Sequence, residues 1–221
     1  MPVITISRLF GAGGSEVAAG VARALGWQLL DSTLVDGSAG GPGATPAHVE
    51  AVEEHSPSLA ERLADALTLE ANEIIPASMR APLPPTEEDL AEATRRVIET
   101  EVARGPAVVV GRGAQACLAN RPDALHVFCV ASRDALIARI MARDGLSADR
   151  AADRVEAVNR SRAEYVRRIW HRDVRSPALY DLCINTGTLG IPGAIALVVD
   201  ASRARFGSLA IPEARFPVSG A

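Results

Sequence analysis

The chain has 221 residues, enough to bury a substantial core in one domain, and its 48% hydrophobic and 23% charged residues are those of an ordinary globular protein. A net charge of −4 and only 4% aromatics argue against a general binder of nucleic acid or anionic membrane, which needs a cationic field or stacking surfaces. All 23 basic residues are arginine, so any phosphate held here must be neutralised by guanidinium groups, backbone N–H groups, helix dipoles or metal.

In chain order, the apolar run 3–7 ("VITIS") predicts a first strand. It leads through "RLFGAGGSEVA" into a helix over about 14–25, in which Val17, Ala18, Val21, Ala22 and Leu25 form one apolar stripe and Gly26 a stop. Strand, glycine loop and helix in that order build a phosphate cradle. Gly11, Gly13 and Gly14 can turn backbone N–H groups toward one anion, and the helix beginning near Gly14 aims its positive end at it. Laid on the phosphate-loop pattern G-x-x-x-x-G-K-[ST], Gly13 is the second glycine and Ser15 the hydroxyl that would hold Mg²⁺. Arg8 stands at the first glycine and Gly14 where the lysine belongs. We read Arg8, or an arginine from 133–175, as the substitute cation. Two other readings stay open here. One is a tight turn that serves packing alone. The other is a dinucleotide fingerprint from Gly11-x-Gly13 with Asp31, disfavoured because Glu16 would occupy the third glycine position and repel pyrophosphate.

A second strand is predicted at 27–31, followed by the loop-like "GSAGGPGATP" at 37–46, helices at about 58–74 and 86–104, and a break at 76–85. Residues 50–101 carry 13 Asp or Glu against four Arg. Strands are predicted again at 107–111, 125–131 and 180–186, with helices at 133–143, 147–170 and 192–204. Alternating strands and helices predict an α/β fold with a parallel sheet. Residues 133–175 hold 11 Arg against seven acids on an otherwise acidic chain, which suits a specific anionic ligand. Arg160 and Arg167, Arg168 and Arg175, with Arg172, and Arg139 with Arg143, are spaced to share helix sides if the helices are continuous. Cys117, Cys129 and Cys183 show neither disulfide nor zinc spacing. No signal-peptide pattern opens the chain, and "LGIPGAIALVV" is too short to span a bilayer, so a cytoplasmic location is expected.

Taken together, "ISRLFGAGGSEVA" (6–18), "LGWQLLDSTLV" (25–35), "VGRGAQACLA" (110–119), "HVFCVAS" (126–132), "NRSRAEYVRR" (159–168), Asp173 and "LYDLCINTG" (179–187) resemble the cytidylate kinase-like family, relatives of bacterial cytidylate kinase among P-loop nucleoside monophosphate kinases. The resemblance implies a P-loop NTPase-type three-layer sandwich: a five-stranded parallel sheet, a helical monophosphate-binding insert and an arginine-rich lid. On this chain the core would be 1–37 and 101–206, the lid about 144–172, the insert 38–100, and 207–221 a loosely ordered tail. It implies phosphoryl transfer from ATP with Mg²⁺ to CMP or dCMP. Gly11, Ala12, Gly13, Gly14 and Ser15 would hold the donor phosphates, and Asp31, Ser32 and Arg112 the acceptor. Arg8, Arg112, Arg162 and Arg168 would supply cationic catalysis. Bacterial cytidylate kinase keeps the loop lysine, so the alternative is a nucleotide-binding module with weak or no catalysis. Nucleotide partners are expected, nucleic acid and membranes are not, and the oligomeric state is open.

Overall fold

The computed structural model describes residues 1–30, 87–111 and 113–207. Asp31, Ser32, Arg112, the helix predicted at 58–74, most of the insert and nearly all of the tail lie outside the described residues. The described elements run β1 (Val3–Arg8), α1 (Gly14–Leu25), β2 (Gln28–Leu30), α2 (Glu87–Arg104), β3 (Ala107–Val110), α3 (Ala114–Cys117), β4 (Ala124–Val130), α4 (Arg133–Asp144), α5 (Ala148–Trp170), β5 (Leu182–Asn185) and α6 (Thr186–Phe206). The five strands form one all-parallel sheet in the order β2-β3-β1-β4-β5.

The central strands are runs of valine, isoleucine and other apolar residues because both of their faces are covered. Ile4, Ile6, Val108 and Val110 face one layer, packed by Val17, Val21, Ile140 and Val198. Val3, Ala107 and Val109 face the other, packed by Ile98, Val102, Ala114 and Val166. The period of two along a strand therefore sends Arg8 to the α1 layer and its neighbour Ser7 to the opposite one. β1 is flanked by β3 on one side and β4 on the other. Crossovers to the two sides leave on opposite faces, which opens a crevice beyond the carboxyl end of β1.

Local signals set most element ends. Gly26 stops α1 in the left-handed conformation with φ 67°, and Ser132 caps α4 by accepting from the Ala135 N–H at 3.3 Å. α2 runs unbroken through residue 100, where the sequence reading placed the insert boundary, and it buries Thr94, Ile98 and Val102 at helical spacing. α6 starts six residues before the predicted 192. Asn185 accepts from Gly187 N–H at 3.0 Å and nucleates an extra turn, which kinks at Gly190 (φ 68°, ψ 169°) before Pro192. α5 ends at Trp170, and His171 takes a left-handed φ of 51°. Arg172 and Arg175 consequently lie off the helix, so the helix side they were expected to share with Arg168 does not form. The short α3 had no signal in the sequence.

Candidate functional site

The loop between β1 and α1 lies in that crevice, and its amides divide into two sets. Leu9 donates to the Cys129 carbonyl at 3.0 Å, Phe10 to Asn159 Oδ1 at 2.8 Å, and Ala12 to the Leu9 carbonyl at 3.1 Å. Ala12 thus uses its N–H inside the loop. The N–H groups of Gly11, Gly13, Gly14 and Ser15 have no acceptor among the described residues. Buried N–H groups are costly when unpaired, so four within five residues at a helix start fit an anion. Ser15 Oγ is buried as well, at 4% exposure for the residue, and has no hydrogen-bond partner among the described residues. A hydroxyl placed this way fits a metal ligand or a phosphate donor. Thr186 Oγ1 ties the loop to the far sheet edge by donating to the Ala12 carbonyl at 2.7 Å.

The structure gives a reason for the missing lysine. Arg8 is 7% exposed and passes directly over Gly14. A Cβ built on Gly14 would lie 2.5 Å from Arg8 Cβ, 3.1 Å from Cγ and 3.2 Å from Cδ. The Arg8 stem therefore fills the place where a side chain at 14 would begin, and both cannot be accommodated. The pattern's glycine-then-lysine pair is exchanged here for arginine-then-glycine. Arg8 pairs in register with Cys129 on β4. Burial pushes the Cys129 thiol up to about 12, with the Arg8 charge acting in the opposite direction.

Three more arginines converge from α4 and α5. Arg139 binds Glu16 at 2.8 and 3.0 Å, and its guanidinium carbon and Nη1 would lie 2.9 Å from a Cβ on Gly13. Arg143 and Arg162 place their guanidinium groups 5.0 and 5.6 Å from the centre of the Phe10 ring. With Asn159 holding Phe10, α5 is fastened to the loop. Arg162 is thus brought to the loop. Arg168 is exposed, and six residues on from Arg162 it lies about 240° around the helix. The pairing of Arg139 with Glu16 compensates the carboxylate that was expected to repel a pyrophosphate. What sets the dinucleotide reading aside is the sheet order, because β3 rather than β2 lies beside β1.

The ordered motifs match as a set: the signature of the cytidylate kinase-like family covers residues 3–188. The chain belongs to this family. No curated protein is similar enough in sequence to count as a relative. Among solved structures, an uncharacterised protein from Eubacterium ventriosum matches with a TM-score of 0.63 and 19% identity, over 93% of this chain and 100% of that one. A shikimate kinase from Bacteroides thetaiotaomicron matches at 0.46 and 17% identity, over 92% and 96% of the two chains. A gluconokinase from Sinorhizobium meliloti matches at 0.46 and 15%, over 92% and 94%. At these identities the likeness is one of fold.

For this cytidylate kinase-like protein, sequence reasoning left Arg139, Arg143 and Asn159 out of the candidate site. The i,i+4 spacing of the two arginines was the available signal, and Asn159 opens the matched run 159–168 without being given a role there. Gly13 is one of three loop glycines with little room for a side chain. Its φ is 68°, and an added Cβ would meet Ile191 Cδ1 at 2.5 Å besides Arg139. Gly13→Ala is expected to destabilise the protein by on the order of 2–4 kcal/mol, from left-handed strain and overpacking together. Urea denaturation measures this, and a loss below about 1 kcal/mol would show that the loop relaxes around the methyl.

Proposed function

We propose that this protein transfers the γ-phosphoryl group of ATP to CMP or dCMP in the cytoplasm, with Arg8 taking the part of the loop lysine. The observation that carries this reading is the Arg8 side chain lying over Gly14, in the space of the absent residue and beside four unspent amides. Phosphoryl transfer asks the protein for alignment and countercharge and for little covalent chemistry. The amides of Gly11, Gly13, Gly14 and Ser15 would hold the donor phosphates. Arg8 and Arg162 would face the transferred group, where a planar guanidinium can grip two phosphate oxygens at once. Ser15 Oγ, buried and unspent, suits the ligand position for Mg²⁺, which when bound offsets charge on the donor phosphates. Asp31, Ser32 and Arg112 are assigned to the acceptor by the family resemblance.

The test is ADP formation from ATP and Mg²⁺ with CMP, dCMP, UMP and AMP supplied in turn. Acceptor-dependent ADP with CMP or dCMP above the other two is the expected result. No acceptor-dependent ADP with any of them removes the reading. Calorimetric nucleotide binding without turnover would then assign the chain as a nucleotide-binding module, the role compatible with a loop lacking its lysine.

A further inference from the structure

Across β1 from the glycine loop, a second group of polar side chains remains unexplained. Ser7, which the pleat turns away from Arg8, is 6% exposed, and Gln115, on α3 just after the turn that follows β3, is 2% exposed. Both lie beside the hydroxyl of Tyr180, which donates to the Val174 carbonyl at 2.8 Å. Gln115 Nε2 has no acceptor among the described residues. Trp170, at the end of α5, presents its indole N–H edge to the same turn. A Cβ on Gly113 would collide with Nε1 and Cδ1, and Nε1 likewise has no acceptor among the described residues. Trp170 is 9% exposed, and the guanidinium of Arg95 from α2 lies 5.8 Å from its ring centre.

Two buried donors without acceptors are expensive in a chain that could have placed leucine and phenylalanine there. Both are N–H groups, so what they lack is an oxygen lone pair, and a cation over the indole ring favours one carrying negative charge. We infer that Gln115 and Trp170 together contact an unprotonated oxygen of the phosphoryl acceptor and position that substrate opposite the loop. This rests on the phosphotransfer reading. The oxygen belongs either to the acceptor's phosphate or to a carbonyl of its base, and binding measurements separate the two.

Gln115→Met and Trp170→Phe remove the donors while keeping most of the volume. Each is expected to raise KM for CMP about tenfold and leave KM for ATP within about twofold, the effect of one lost buried hydrogen bond. Melting temperature is expected to hold or rise, because an unpaired buried donor is removed. Binding is read without turnover, by calorimetry with CMP, inorganic phosphate and cytidine. Weakened phosphate binding in the variants assigns the oxygen to the phosphate, and weakened cytidine binding assigns it to the base. Unchanged affinities for all three, a fall in melting temperature with affinities intact, or no binding of any probe by the unaltered protein overturns the assignment. Binding that depends on Gln115 and Trp170 without any ADP formation leaves the contact standing and removes the kinase reading; turnover with unchanged KM for CMP does the reverse.

Discussion

Arg8→Ala is expected to lower kcat for CMP phosphorylation by on the order of 10³-fold, the scale found when a group facing developing charge is removed from an enclosed site. The side chain is buried, so its charge acts with little solvent screening, and it stands directly over the start of α1. KM for ATP is expected to rise far less, because the four loop amides and the helix dipole stay in place to bind phosphate. Steady-state kinetics under saturating ATP measures the effect. A thermal melt run alongside separates chemistry from folding, since truncating a buried stem also opens space above the loop. A fall smaller than tenfold with the fold intact would remove Arg8 from any role in offsetting transition-state charge. Recovery of rate on adding free guanidinium ion to the variant would support that role directly.

Restoring the lysine alone is expected to fail. In Gly14→Lys the new Cβ would lie 2.5 Å from Arg8 Cβ, and the atom it meets is the rigid base of the side chain, not its mobile end. Overpacking of this kind costs about 1–3 kcal/mol, and relieving it drives the guanidinium away from the loop. The single variant should therefore lose both stability and activity. Arg8→Gly alone should lose activity as Arg8→Ala does. The pair Arg8→Gly with Gly14→Lys recreates the common phosphate-loop pattern and removes the collision, so its activity is expected to exceed that of either single variant at least tenfold. A tenfold gain is about 1.4 kcal/mol over the better single variant, and the coupling between the two positions exceeds that figure, because the loss at the other position is offset as well. Additive losses in the double variant would show that positions 8 and 14 do not share one space and one task. Alanine at position 8 is the wrong partner for this experiment, because its Cβ keeps the contact.

Much of the architecture is legible in the residues. The runs 3–7, 107–111 and 125–131 are mostly apolar because a parallel sheet covered on both faces exposes neither side of a strand, and each appears within a residue of its predicted limits. α1, α4 and α5 follow from apolar periodicity and from Gly26, Ser132 and Gly145 at their ends. α3 was not legible, since four helical residues carry no period. The first turn of α6 was not legible either, because glycine and proline on both sides of Ile191 read as a break and a side-chain cap at Asn185 outweighs them locally.

The sequence by itself determined the layers, the glycine turn at the head of α1 and the fact that every countercharge must be a guanidinium. Each of these depends on residue type or on neighbours within a few positions. Only the tertiary structure decided why Gly14 is glycine, which arginines reach the loop, and that Gln115 and Trp170 stand with unspent N–H groups on one turn. Those facts come from contacts between distant parts of the chain, such as Phe10 with Asn159, 149 residues apart, and Thr186 with Ala12, 174 apart. Local pattern carries no record of such pairs, because strand order and helix packing bring them together only once the whole sheet has formed.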